Sequence, residues 1–159
     1  MNKTKFLTQA AMIAAIYVIL VEIFKPVSYG IMQVRVAEAL TILPYFTPAA
    51  VPGLTVGVLI SNTLGPNGML DIILGTLATL IAAYFTYKTH RKILAPLPPI
   101  LINAVIIGAM LYYIFLGTAD ETALPVIMAW VALGQTIVCY GLGYPLILIL
   151  DKYRDIFDI

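Results

Sequence analysis

Arg35 and Glu38 lie three residues apart in Gln33-Val-Arg-Val-Ala-Glu-Ala-Leu-Thr-Ile-Leu-Pro44, at the mouth of an apolar, helix-forming stretch. Residues at that spacing share one face of a helix, so the guanidinium and the carboxylate can support each other and aim a polar group at one point. Polar residues of the same kind recur in the apolar segments that follow, as Asn62, Asp71 and Gln135. A carboxylate inside hydrocarbon costs about 2.5 to 3.5 kcal/mol on insertion scales, so it faces a cavity or a partner. An amide offers a donor and an acceptor in one group. Such a set can recognise a small polar ligand, with Glu38 the leading contact and Arg35 the residue that holds it in place. Each residue also has a structural reading. Glu38 can simply pair with Arg35, Asp71 can favour the dipole and free amides of a first helical turn, and Asn62 and Gln135 can join helices. Trp130, with Tyr112, Tyr113 and Phe115, can stack on a ligand or form an interfacial belt. Glu22 can reach water, and Asn103 reads as structural.

The elements that must position these groups are set by composition. Hydrophobic residues make up 62% of the chain and charged residues 11%, with a mean hydropathy of +1.00, against about 25% charged in ordinary soluble domains. The chain is therefore expected to be an all-α integral membrane protein in one domain, residues 1–159. The lone Cys139 rules out an intrachain disulfide or a thiol metal cluster and reads as a packing residue. Because there is no Gly-x-x-x-x-Gly-Lys-Ser/Thr loop, ATP is not hydrolysed by that route. The single histidine, His90, sits among Lys88, Arg91 and Lys92, where it builds neither a His-rich metal site nor a Ser/His/Asp triad with the polar residues above. No acidic pair at helical spacing occurs within a span, which argues against an intramembrane enzyme. No catalytic residue, cofactor, metal or nucleic-acid partner is expected.

Hydropathy and breakers divide the chain into about six spans, roughly 6–24, 35–47, 50–64, 70–87, 97–116 and 125–150. The first follows Lys3 and Lys5 but is too long for a signal h-region and lacks a clear cleavage site, so it reads as a retained helix. The second and third are short and crowded with Pro44, Pro48, Pro52, Gly53 and Gly57, and the last has a bend expected at Pro145. With six spans, Lys3, Lys5, Lys88, Arg91, Lys92, Lys152 and Arg154 fall on one side and only Lys25 and Arg35 on the other. By the positive-inside rule both termini are cytoplasmic, in the cell membrane. Glu22, Arg35, Glu38, Asn62, Asn67, Asp71, Asp120 and Glu121 then belong to the outer half or outer loops. On the first helix, Ala10 with Ala14 and Ala11 with Ala15 make two overlapping patterns that let another helix approach closely. Gly75, Thr79 and Ala82 make a similar face, read as internal.

Val34-Arg-Val-Ala-Glu-Ala-Leu-Thr-Ile-Leu-Pro44, Gly57-Val-Leu-Ile-Ser-Asn62 and Asp71-Ile-Ile-Leu-Gly-Thr-Leu-Ala-Thr79 resemble the QueT family of queuosine-precursor transporters, which are substrate-binding S components of energy-coupling factor (ECF) transporters. The resemblance implies an S-component-like bundle that captures a 7-deazaguanine, such as 7-aminomethyl-7-deazaguanine, from outside. It implies partnership with a transmembrane T component and two cytoplasmic ATPases, delivery by toppling of the subunit, and a T-component surface at Ala10, Ala11, Ala14 and Ala15. A deazaguanine presents adjacent N–H donors, a carbonyl, a flat ring and a cationic arm; two carboxylates, amides and an aromatic plate answer that inventory. Glu38, Asp71, Asn62, Gln135 and Trp130 supply the set, with Arg35 beside them. The alternatives are an S component for another water-soluble vitamin-like ligand, an intramembrane enzyme or a scaffold.

Overall fold

An α-helix satisfies its backbone polar groups within one segment, which is what an apolar chain in lipid requires. The computed structural model describes residues 3–28, 34–116 and 123–156, and they contain helices and no strand. Gln33, Asp120, Glu121 and the side chain of Phe115 lie outside the described residues. The chain runs through α1 (Lys3–Ile23), the single turn α2 (Lys25–Ser28), a 3₁₀ helix (Val36–Tyr45) and α3 (Ala50–Thr63). A π-helical turn (Asp71–Gly75) then leads into α4 (Thr76–Lys88), followed by α5 (Leu97–Leu116) and α6 (Ala123–Val138). A second π turn (Cys139–Gly143) runs on into α7 (Tyr144–Leu150). The stretches 6–24, 35–47, 50–64 and 97–116 each overlap one of these helices, whereas 70–87 covers the first π turn with α4 and 125–150 covers α6, the second π turn and α7. Three stretches, Lys3–Ile23, Lys92–Ile114 and Ala123–Tyr153, are long and apolar enough to cross a membrane, and Val36–Tyr45 and Ala50–Thr63 are shorter apolar helices. The protein is an all-α membrane protein.

The second segment is wound as 3₁₀ rather than α. At about 2.0 Å rise per residue its ten residues reach about 20 Å, where an α-helix would reach about 15 Å. It is also buried almost throughout, with Ala37, Glu38, Ala39, Thr41, Ile42, Leu43 and Pro44 all inside. Around it stand α1, α3, α4, α6, the second π turn and α7, while α1 packs on α3, α3 on α4, α4 on α5 and α5 on α6. One apolar cluster, built on Tyr17, Val21, Ile42, Leu54, Val58 and Ile147, ties the 3₁₀ helix to α1, α3 and α7. A second, built on Ala78, Ile107, Leu111, Ile127 and Val131, joins α4, α5 and α6. Just before Pro145, where a bend is expected, the winding changes to the second π turn. Proline lacks an N–H and clashes with the carbonyl four residues back, and that position, Gly141, lies inside the turn.

The small residues of α1 divide between two roles. A Cβ added at Gly53 would lie 2.7 Å from the Ala10 carbonyl oxygen, and one at Gly57 would lie 3.2 Å from that of Ala14. Ala10 and Ala14 are therefore used inside the bundle, where α1 meets a Gly53-x-x-x-Gly57 face, whereas Ala11 and Ala15 are exposed. Gly75, Thr79 and Ala82 are all buried, as an internal face requires. Gly53→Ala should lower the unfolding temperature in detergent by an amount equivalent to about 1–3 kcal/mol. Gly141→Ala, where an added Cβ meets nothing within 4 Å, should leave it unchanged; equal effects of the two would refute the close α1–α3 contact.

Candidate functional site

Arg35 precedes the 3₁₀ helix in an extended conformation (φ −86°, ψ 107°), so it is not part of the helix that carries Glu38. Its guanidinium donates from Nη2 to Asp71 Oδ2 at 3.1 Å, from Nη1 to Asn62 Oδ1 at 2.9 Å and from Nε to the Ser28 carbonyl at 3.2 Å. Arg35 thus forms a buried ion pair with Asp71, with side chains 5% and 0% exposed, and it is also an electrostatic neighbour of Glu38. The planar fork of arginine suits this arrangement, since it bridges two acceptors on different helices and a third at the end of α2. Asn62 closes the ring by donating Nδ2 to the Asp71 carbonyl at 2.8 Å, so each end of its amide has a protein partner. Asn67 Nδ2 adds a longer bond to Asp71 Oδ2 at 3.3 Å.

Two local features place Asp71. It opens the π turn, a form often found at functional sites, and Gly75 ends that turn directly against it. A Cβ at Gly75 would overlap Asn62 Nδ2 and come within 3.1 Å of Asp71 Oδ1. Glycine is needed here for close approach, not for backbone freedom.

Glu38 lies 3% exposed on the 3₁₀ helix. Its Oε1 accepts a 2.7 Å hydrogen bond from the hydroxyl of Tyr17, which is fully buried on α1. Its electrostatic neighbours also include Arg35, Asn103 and Asp71. The Glu38 backbone carbonyl accepts from Thr41 Oγ1 at 2.6 Å and from Cys139 Sγ at 3.7 Å. Cys139 Sγ reaches Gln135 Oε1 as well, at 3.6 Å, which brings Gln135 to the same region. Glu38 Oε2 and Asp71 Oδ1 are buried and have no hydrogen-bond partner among the described residues.

Glu38, Asp71, Asn62, Arg35 and Gln135 are therefore brought together, and Trp130 is not. Trp130 is 44% exposed, on the outward stripe of α6 with Val126, Leu133 and Ile137. The belt interpretation fits it and also Tyr113, whereas Tyr112 is buried in the α4–α5–α6 core. Glu22 sits at the surface in an ion pair with Lys25. Sequence reasoning missed Tyr17; Asn103, which reads as structural, is buried beside Glu38. The available signal for Tyr17 was its register: Ile13, Ala14, Tyr17 and Val21 form the buried stripe of α1.

A family model described as "QueT transporter" matches residues 7–152. The chain belongs to the QueT transporter family. The Queuosine precursor transporter QueT of Lactococcus lactis subsp. cremoris (strain MG1363) is 37% identical over 82 residues, which is 50% of this chain and 48% of that relative. The match thus spans about half the relative's length. No solved structure matches the chain. All of the QueT-family chain's polar cluster, from Tyr17 to Cys139, falls within the matched range. Tyr17→Phe would remove the hydroxyl that donates to Glu38 Oε1, and it should lower thermal stability by about 1–3 kcal/mol. Tyr113→Phe, at an exposed ring, is the control and should change nothing; indifference to both would show that the Tyr17 hydrogen bond does not form.

Proposed function

We propose that this QueT-family chain is the substrate-capturing S component of an ECF importer, and that its cargo is a queuosine precursor, a 7-deazaguanine such as 7-aminomethyl-7-deazaguanine. The observation that carries this proposal is the pair of half-committed carboxylates. Glu38 and Asp71 each give one oxygen to protein donors and keep the other buried without a partner among the described residues. An unsatisfied buried acceptor costs about 1–3 kcal/mol, more when charged, and the N–H groups of a ligand would remove that cost. One of the two carboxylates reads the guanine-like edge and the other meets the cationic arm. Arg35 and Asn62 act as the frame, because their polar ends are already bonded to protein, and Gln135 is placed to add an amide. The name of the Lactococcus lactis relative, a queuosine precursor transporter, supports the cargo.

The basic residues support the orientation: both termini are cytoplasmic, and the Arg35–Asn62–Asp71 end faces outward. With no phosphate loop of its own, the chain relies on two ATPases and a T component to drive delivery by toppling. The exposed Ala11 and Ala15 remain open for close contact with the T component, whereas Ala10 and Ala14 stay against α3.

Isothermal titration with 7-aminomethyl-7-deazaguanine should show affinity reduced by roughly 10–100-fold for Glu38→Gln and for Asp71→Asn, the loss expected for a hydrogen bond to a charged group. Undiminished affinity in both would sink the binding-site assignment. Mass spectrometry of whatever copurifies separates this cargo from another vitamin-like ligand.

A further inference from the structure

The basic end of the bundle carries an amphipathic groove that the ligand site does not use. It lies between the end of α4, the short 3₁₀ turn Lys92–Leu94 and the start of α5. Its volume is about 610 Å³, and Phe85, Leu94, Leu97 and Leu101 form its apolar length while His90 and Arg91 stand at its polar end. Phe85, Leu94 and Leu101 are exposed, so in a membrane protein this wall faces hydrocarbon. Beside the polar end, Lys88 Nζ lies 5.6 Å from the Tyr84 ring centre and 5.5 Å from that of Tyr87. Tyrosines of this kind mark the headgroup level of a bilayer.

The charge here is one-sided. Among residues 88–92 only Thr89 is not basic or histidine, and no aspartate or glutamate occurs between Asp71 and Asp120. Lys92 is drawn into an ion pair with Asp151. His90 and Arg91 are exposed and have no carboxylate against them among the described residues. A cationic end joined to an apolar channel at the headgroup level complements a molecule that is anionic at one end and hydrocarbon along the rest. We infer that this groove seats an anionic diacyl phospholipid, its phosphate against Arg91 and His90 and one acyl chain along Phe85, Leu97 and Leu101. The inference needs the protein to be in a membrane, and it does not depend on the cargo proposed above.

Native mass spectrometry of the full chain released from nanodiscs of mixed phosphatidylglycerol and phosphatidylcholine tests it. The wild type should retain phosphatidylglycerol in preference. Arg91→Gln should cut that preference about five-fold, since one basic residue near an anionic headgroup contributes on the order of 1 kcal/mol. Leu101→Trp, which fills the exposed apolar length without altering charge, should reduce retention of the lipid. The double variant Lys3→Gln/Lys5→Gln, basic residues outside the groove, should leave the preference intact. Any of four results would overturn the inference: no preference in the wild type, an unchanged preference in Arg91→Gln, full retention in Leu101→Trp, or a loss in the Lys3/Lys5 variant equal to that of Arg91→Gln. Thermal unfolding of each variant at the wild-type temperature confirms that folded proteins are being compared.

Discussion

The guanidinium of Arg35 is the constraint on which the arrangement of the polar interior rests. It is 4% exposed in a chain that is 62% hydrophobic, so desolvation has to be offset by several good partners at once. Those partners come from separate parts of the chain: the end of α2, the last turn of α3, and the π turn before α4. Meeting their geometry fixes how these segments approach one another. Glu38 lies in the field of the same cation, and Tyr17 from α1 adds a hydrogen bond to its Oε1. The result is two carboxylates under one positive charge, each held by one oxygen only.

Close approach makes this possible. Asn62 can lie across Asp71 only because Gly75 has no side chain, and the 3₁₀ helix can enter the ring of helices because small residues line its path. Gly143, for example, faces the Ala39 carbonyl oxygen, with an added Cβ falling 3.3 Å from it. Without a hydrophobic force between helices in lipid, such packing and the polar bonds it permits are what hold a bundle together. The polar cluster and the glycine contacts are thus one system: loss of the small residues would separate the helices that the arginine joins.

Class and segmentation were legible in the sequence, because composition and breakers report on solvent and chain length directly. The gathering of Arg35, Asn62 and Asp71 was legible too, since the expected alternation of six spans puts all three near the same side. The identity of Arg35's partner was not. Helix spacing paired it with Glu38, but spacing rules hold only within a helix, and Arg35 is extended. Within the 3₁₀ helix, residues three apart do meet, as Thr41 and the Glu38 carbonyl demonstrate. Trp130 is the opposite case. It is five residues from Gln135, about 140° around an α-helix, so their separation on different faces was present in the sequence all along. Tyr17 was marked by its register on α1 alone, because a phenol in an apolar helix is compatible with core, belt or site.

The winding of the central segment has a mechanical side. Ten residues held as 3₁₀ are about 5 Å longer than the same ten wound as α, and each residue is about 20° further around its axis. The segment therefore spans a longer distance, with one end at Arg35 and Glu38 and the other at Pro44 and Tyr45. Any relaxation toward α winding would draw the two ends together and rotate Glu38 relative to the fixed hydroxyl of Tyr17. Length and aim of the carboxylate are thereby coupled along a single axis of the molecule.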